Sequence, residues 1–225
     1  KELAGKSFLD AGCGSGLFSL AAKRLGARVY SFDLDPQCVA CTEELKTRTF
    51  PDNPDWSIHQ GSVLNEDFLN SLKEADIVYS WGVLHHTGNM KKAIHLTAGK
   101  VKPGGALFIS IYNDQGAASQ RWLRIKQLYN RLPKSLRFLL VLAIASFYES
   151  KAAVGRLIKG RNPMPKERGM STWHDWVDWC GGYPFEVAKP EEIVNLMSAI
   201  DFRLENLRNS SGWGCNEYVF RRANS

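Results

Sequence analysis

Short apolar runs alternate with helix-like segments over the first half of the chain, and this alternation constrains the fold more than any other feature of the sequence. Runs typical of β-strands lie at residues 6–11, 28–33, 56–60, 76–80 and 106–112. Segments with helical spacing follow the first, second and fourth of these runs. Because strands that alternate with helices are typical of a parallel sheet covered on both faces, we predict an α/β fold.

The alternation stops after Tyr112 and resumes at Lys189, where Pro190 and two glutamates open a helix predicted to end at Ile200. Strand patterns at residues 202–208 and 217–222 follow, and the loop between them is too short for a crossover helix, so these strands are expected to be antiparallel neighbours. The sequence therefore predicts a Rossmann-like, seven-stranded, mostly parallel sheet with an antiparallel last strand and a helical lid inserted after strand 5. The predicted domains are a core at residues 1–113, the lid at 114–188, and a closing helix and strand pair at 189–225.

The positive charge of the chain is concentrated in the predicted lid. Residues 121–168 contain twelve Lys or Arg and two Glu, whereas the net charge of the whole chain is +6, so the rest of the chain is acidic. Apolar residues recur at helical spacing from Trp122 to Tyr129. The intervening cations are predicted to form a solvated side of this helix: Arg121, Arg124, Lys126 and Arg131.

Two anionic partners fit residues 121–168, namely a lipid surface and the phosphates of RNA. Lipid is favoured because residues 138–148 form an uncharged, largely apolar run and the chain contains no recognisable RNA-binding module. This run is shorter than the roughly 20 residues that a bilayer-spanning helix needs, so we expect peripheral contact with the membrane. No DNA partner is expected.

The cysteines indicate the cellular compartment. The chain contains five of them, an odd number that is typical of a reducing environment, and we expect a cytoplasmic protein that is peripheral to the inner face of the membrane. Cys38 and Cys41 form a CxxC pair without a second pair, so we interpret them as two buried thiols rather than a metal or redox site. The chain begins at Lys1 rather than Met, and the sequence does not predict whether an amino-terminal segment is missing.

The segment LDAGCGSG at residues 9–16 joins the first strand to the first helix. Glycines in such a loop allow a ligand to approach the backbone closely. The even spacing of Gly12, Gly14 and Gly16 departs from the dinucleotide pattern G-x-G-x-x-G, so hydride transfer is disfavoured. Asp33, at the end of the second strand, is placed to accept hydrogen bonds from a ribose diol. The alternative is a loop that only packs a helix on a strand, and Asp35 is the better candidate for the cap of the next helix.

Four segments together resemble the class I S-adenosylmethionine-dependent methyltransferases. The matching motifs are LDAGCGSG, SFDLD, ADIVYSWGVLHH and VKPGGALFISIY, in this order along the chain. The layout is similar to that of the ubiquinone-pathway O-methyltransferases and of related bacterial small-molecule methyltransferases. The resemblance implies the Rossmann-like fold and S-adenosylmethionine as the cofactor.

The resemblance also implies a set of cofactor-binding residues. The glycine loop would lie against the methionine part of the cofactor, Asp33 would hold the ribose, and Leu34 would line the adenine. The whole implied set is Asp10, Gly12, Cys13, Gly14, Ser15, Gly16, Asp33, Leu34, Ser62, Val63, Ser80 and Trp81. Residues 82–86 carry no carboxylate, in contrast to the metal-binding acids of the ubiquinone-pathway enzymes, and no metal is expected here.

Methyl transfer to a hydroxyl or an amine requires a base that removes a proton. His85 and His86 follow the fourth strand at the cofactor edge, and because they are adjacent we expect at most one of them to be the base. His174 and Asp175 in the lid are a second candidate pair, and Tyr112 is a candidate contact for the acceptor. The alternatives are that the adjacent histidines only pack or cap the next helix, and that the tryptophans around His174 form a buried aromatic stripe.

These patterns predict transfer of a methyl group from S-adenosylmethionine to an oxygen or nitrogen atom of a small, hydrophobic acceptor. Two alternatives stay open, an RNA methyltransferase and a regulator that binds S-adenosylmethionine without catalysis. The sequence does not predict the identity of the acceptor or the oligomeric state.

Overall fold

The computed structural model describes residues 2–160, 171–210, 212 and 214–224. Residues 161–168, at the end of the predicted basic segment, lie outside this description. The strands are β1 (Ser7–Ala11), β2 (Arg28–Asp33), β3 (Trp56–Gln60), β4 (Ala75–Trp81), β5 (Val101–Tyr112), β6 (Phe202–Arg208) and β7 (Cys215–Arg222). They form one seven-stranded sheet in the order β3-β2-β1-β4-β5-β7-β6. The first five strands are parallel and β7 runs antiparallel to both of its neighbours, so the predicted fold class is confirmed.

Helices connect and flank these strands. Their bounds are α1 (Leu17–Arg24), α2 (Pro36–Thr49), α3 (Glu66–Ser71), α4 (Met90–Ala98), α5 (Ala117–Arg131), α6 (Lys134–Ile158), α7 (Thr172–Gly181) and α8 (Pro190–Ser198), and a short 3₁₀ turn spans Leu84–His86. Asp35 caps α2 as predicted, because its carboxylate accepts a hydrogen bond from the Gln37 amide at 2.8 Å and Pro36 occupies the first turn. α3, whose amino end is capped by Asn65, was not predicted from the sequence.

The sheet separates two apolar cores. Successive side chains of a strand point to opposite faces, so Phe8 belongs to a smaller cluster with Leu20 and Trp56, whereas Leu9 belongs to the larger one. Burial of each large apolar side chain stabilises the fold by about 1.5–3 kcal/mol. Both faces of the parallel part of the sheet are therefore covered, as is typical of parallel sheets.

The start of β5 differs from the prediction. β5 begins at Val101, which pairs with Ala75, while Ala106 pairs with Ile77, so residues 102–105 bulge opposite Asp76. Gly104 adopts a φ of +69°, which favours glycine. Pro103 and Gly104 thus lie in a bulge inside the strand, a place where proline is tolerated.

The chain divides into two compact units, residues 2–115 with 186–224 and residues 116–185. The second unit consists of α5, α6 and α7. The Trp122 ring on α5 stacks on Trp176 and makes an edge contact with Trp179, both on α7, and the Trp176 indole donates a hydrogen bond to Glu149 on α6 at 3.0 Å. The tryptophans therefore pack the three helices against one another. This agrees with the alternative prediction, in which the tryptophans around His174 have a packing role.

α6 is longer than predicted. It runs for 25 residues, from Lys134 to Ile158, because the helix continues through the polar residues at 149–151 into a second apolar segment. By length and composition it is able to cross a membrane, and 6% of its most apolar window is buried. The expectation that no helix reaches this length was therefore wrong.

Cys41 is exposed and Cys38 is half-buried, so the expectation of two buried thiols was wrong.

Lys126 is buried rather than solvated, contrary to the prediction for its helix. Its side chain is 0% exposed, and its ammonium donates a hydrogen bond to the Trp179 carbonyl. The ammonium also lies 4.5 Å from the centroid of the Trp179 ring and 4.9 Å from that of Phe185. Burial lowers the pKa of Lys126 to about 8, since the charged form loses its hydration. The cation–π contacts compensate part of that loss.

Replacement of this lysine tests the burial of a charge. The folded protein has a Lys126 pKa of about 8 and the unfolded chain one near 10.5, so between these pH values the folded state holds fewer protons. We expect the free energy of unfolding of the wild type to rise with pH across this interval relative to a Lys126→Met variant, by up to about 3 kcal/mol. Urea unfolding of both proteins measures the difference. A pH-independent difference would contradict the burial of a charged group.

Candidate cofactor and acceptor site

The glycine loop between β1 and α1 has a backbone that requires glycine. Gly12, Gly14 and Gly16 have φ values of +86°, +54° and +77°. A Cβ atom on Gly12 would lie 2.3 Å from a methyl carbon of Val83, and one on Gly16 would lie 2.8 Å from the Thr42 methyl carbon, whereas one on Gly14 would meet nothing within 4 Å. The loop is thus packed closely at both ends and open in the middle, which suits a ligand that approaches the main chain.

The Asp33 carboxylate fixes the middle of this loop. One oxygen accepts a hydrogen bond from the Gly14 amide at 2.9 Å, and the other accepts one from the Asp35 amide at 3.0 Å. Because an ionised carboxylate offers about four acceptor positions, these two bonds leave capacity for further donors. Asp33 therefore braces the loop while Asp35 caps α2, and the position of Asp33 is compatible with the predicted contact to a ribose.

A buried polar chain lies beneath the loop. Asp10 accepts a hydrogen bond of 2.5 Å from the Ser19 hydroxyl, which lies 2.7 Å from the Ser31 hydroxyl, and the Trp56 indole donates to Ser31 at 3.0 Å. Burial, together with a smaller contribution from the charge of Asp33, raises the pKa of Asp10 to about 6. Ser19, Ser31 and Trp56 were not predicted from the sequence to lie in this chain. Their signal was the presence of serines among otherwise apolar, inward-facing positions.

Cys13 does not offer a reactive thiolate. Its thiol is buried, and burial raises the pKa to about 12. The sulfur lies 3.4 Å from the Thr42 hydroxyl oxygen on α2. Cys13 therefore packs the inner side of the loop, where its amide donates to the Phe32 carbonyl and its carbonyl accepts from the Gly16 amide. Its contact with a cofactor stays a prediction, as does that of Ser15, which is exposed.

The predicted adenine-side residues lie at the ends of β2 and β3. Leu34 is 68% exposed, and the Gly61 amide donates to the Asp33 carbonyl at 2.9 Å, which joins these two strand ends. The Ser62 hydroxyl accepts a hydrogen bond from the Leu64 amide, and Val63 is buried in the larger core. Their contacts with a cofactor stay a prediction.

Ser80 and Trp81 end β4 in different environments. Ser80 is buried and its hydroxyl donates to the Ala11 carbonyl at 2.8 Å, so this side chain links β4 to β1. Trp81 is exposed, and its ring centroid lies 6.1 Å from that of Phe18 on α1. Leu17 and Phe18 are exposed as well. An apolar surface thus adjoins the glycine loop.

His85, His86 and Tyr112 form one cluster. The ring centroid of Tyr112 lies 4.0 Å from that of His85 and 5.3 Å from that of His86. His85 is wholly buried with Nδ1 3.2 Å from the Ser110 carbonyl oxygen, whereas His86 is half-buried. The 3₁₀ turn brings both adjacent rings to the same tyrosine. Burial raises the pKa of Tyr112 to about 12, so its phenol stays neutral at physiological pH.

Glu186 fixes the histidine turn and was not singled out as a site residue from the sequence. Its amide donates to the His85 carbonyl at 3.0 Å, and its carboxylate accepts hydrogen bonds from the Met90 amide at the start of α4. A carboxylate at a helix amino end is stabilised by the helix dipole. The signal was present in the GGYPFE segment, where Glu186 follows an apolar pair.

His174 and Asp175 are exposed on α7, in the unit formed by residues 116–185. Their proposed catalytic role stays a prediction. Among the residues that the structure describes, no group of three or more His, Cys, Asp or Glu side chains is arranged to hold a metal ion.

Comparison with known proteins identifies the family. A family model described as a methyltransferase domain matches residues 1–204. The ubiquinone biosynthesis O-methyltransferase of Xanthomonas euvesicatoria pv. vesicatoria (strain 85-10) is 35% identical over 117 residues, which are 52% of this chain and 47% of that protein. The chain thus spans about half the length of the curated relatives it matches.

Solved structures share the fold. Magnesium protoporphyrin IX methyltransferase from Synechocystis PCC 6803, with bound SAH, has a TM-score of 0.60 at 15% identity over 98% of this chain and 75% of that one. The [4+2]-cyclase SpnF has a TM-score of 0.63 at 11% identity over 99% of this chain and 76% of that one. At these identities the likeness concerns the fold alone. With the family match and the glycine loop, it follows that the chain belongs to the class I S-adenosylmethionine-dependent methyltransferases.

Proposed function

We propose that this protein transfers a methyl group from S-adenosylmethionine to an oxygen or nitrogen atom of a small, hydrophobic acceptor. The observation that carries the proposal is the contact of Gly12 with Val83, the residue immediately before the histidine turn. The loop expected to hold the cofactor therefore adjoins the residues expected to handle the proton of the acceptor. Oxygen is favoured over nitrogen because the curated relatives are named O-methyltransferases.

The chemistry asks little of the protein beyond alignment and proton removal. S-adenosylmethionine supplies an electrophilic methyl group, and its displacement proceeds in line with the attacking atom. His86 is our candidate base because it is half-buried beside Tyr112, while the wholly buried His85 orients the turn through Ser110. The exposed apolar residues Phe18 and Trp81 support a hydrophobic acceptor.

Replacement of Asp33 tests the part of this proposal that concerns cofactor binding. An Asp33→Ala variant loses the carboxylate for the ribose and the brace on the Gly14 amide, and we expect S-adenosylhomocysteine to bind at least tenfold more weakly. Isothermal titration calorimetry measures the affinity. The matched control is Asp35→Ala, which removes only the cap of α2 and is expected to lower the thermal stability with little effect on affinity. Unchanged affinity in the Asp33 variant would remove this residue from the site.

Replacement of the two histidines tests the part of the proposal that concerns catalysis. We expect His86→Ala to lower the initial rate of methyl transfer about 100-fold, and His85→Ala to lower both the rate and the thermal stability. His95→Ala, at an exposed histidine of α4, is the control that should leave both unchanged. The rate is measured as labelled methyl groups transferred to the lipid-soluble fraction of a cell extract. Full activity of both variants would place the base elsewhere, with His174 the next candidate.

Contact with an anionic membrane surface is the second part of the proposal, made for residues 121–168. One face of α6 exposes Leu136, Phe138, Leu139, Leu142, Phe147, Val154, Leu157 and Ile158. Cations lie on the same helix and at its ends, namely Lys134, Arg137, Lys151, Arg156 and Lys159. On the opposite face Val141 is buried and Tyr148 stacks on Trp176 of α7, which favours a helix that lies on the membrane over one that crosses it. A lipophilic acceptor would be found there, and the location that we propose is the inner face of a cytoplasmic membrane.

Vesicle flotation tests this contact. We expect the wild type to float with vesicles that contain phosphatidylglycerol, less so at high salt, and a Leu136→Ser, Leu139→Ser, Leu142→Ser variant to lose at least half of this binding. Leu25→Ser, at an exposed leucine after α1, is the control and should bind as the wild type does. Equal flotation of the triple variant would contradict the proposal. Steep salt dependence with RNA but no vesicle binding would favour the RNA alternative.

A further inference from the structure

Thr42 lies under the glycine loop, and none of the motifs includes it. It is the wholly buried residue of α2, a helix whose other side chains are exposed or half-buried. A buried hydroxyl at such a position must find a hydrogen-bond partner. The Thr42 hydroxyl donates to the Gly14 carbonyl at 3.0 Å and lies 3.4 Å from the Cys13 sulfur.

Gly14 is therefore held from two sides. Its amide donates to Asp33 at 2.9 Å, and its carbonyl accepts from Thr42. In a trans peptide the carbonyl and the following N–H point in opposite directions. Because Thr42 draws the Gly14 carbonyl toward α2, the N–H of Ser15 is directed away from α2. A Cβ atom added to Gly14 would meet no atom within 4 Å, so the loop is open at this residue.

We infer that Thr42 is a positioning residue for the cofactor, which sets the Gly14–Ser15 peptide so that the Ser15 amide faces an oxygen of the bound ligand. The inference rests on the proposed function, since it needs S-adenosylmethionine in this loop. Ser15 directly precedes Gly16, the cap of α1, where the helix dipole favours a carboxylate. The methionyl carboxylate of the cofactor is such a group, and we expect one of its oxygens to face the Ser15 amide.

The two parts of the threonine side chain have separable roles. The methyl group and the hydroxyl oxygen both pack against Gly16, where a Cβ would lie 2.8 Å and 2.9 Å from them, and the hydroxyl in addition donates to Gly14. Thr42→Val retains the shape and removes the hydroxyl, whereas Thr42→Ser retains the hydroxyl and removes the methyl group. A purely structural role predicts that both variants lower the melting temperature and leave ligand affinity unchanged.

Calorimetric titration with S-adenosylhomocysteine separates these roles. We expect Thr42→Val to raise the dissociation constant on the order of 3- to 10-fold and Thr42→Ser to stay within about twofold of the wild type. In the methyl-transfer assay, Thr42→Val should raise the KM for S-adenosylmethionine while kcat at saturation is retained. Equal affinities of all three proteins, or a Thr42→Ser variant as weak as Thr42→Val, would overturn the inference.

A second readout on the wild type does not depend on the folding of a variant. In ¹⁵N-labelled protein, the Ser15 amide resonance should shift when S-adenosylhomocysteine binds. A saturable titration without movement of this resonance would refute the role of Thr42 and leave the proposed function intact. No binding at all by the wild type would overturn the proposed function and the inference with it.

Discussion

The hydrogen bond from the Gly14 amide to the Asp33 carboxylate is the interaction on which the proposed site depends. It joins the end of β2 to the loop after β1 across 2.9 Å, and it places the predicted ribose acceptor directly beside the open part of the loop. Thr42 holds the other side of the same glycine from α2. The loop is thus held by the elements on both sides before any ligand binds. This lowers the entropic cost of ligand binding.

Beneath this loop the protein keeps a polar chain in a region where apolar residues would pack more simply. Asp10, Ser19, Ser31 and Trp56 are all buried, and every link in the chain is a hydrogen bond. A fully satisfied buried network makes the local structure specific, and its cost is visible in the raised pKa of Asp10. The network joins β1, α1, β2 and β3 next to the glycine loop.

Much of the core was predictable because its signals are local. The bounds of the second and third strands, the Asp35 cap and the antiparallel closing pair follow from side-chain period, cap chemistry and loop length. Tertiary partners decided the rest. Lys126 is buried because two aromatic rings and a carbonyl from distant positions surround its ammonium, and the roles of Thr42 and Glu186 appear only when the loops that they hold are folded. The length of α6 was missed because charged residues interrupt its apolar run without ending the helix.

Fold alone does not determine chemistry here, since a methyltransferase and a [4+2]-cyclase share this architecture. The central claim is therefore that the cofactor binds along the glycine loop between β1 and α1. A crystal structure of the protein grown with S-adenosylhomocysteine tests it most directly. We predict the ligand along Gly12–Gly16 with its ribose hydroxyls on the Asp33 carboxylate. A ligand bound elsewhere, or a loop edge that stays empty at saturating concentration, would contradict the account.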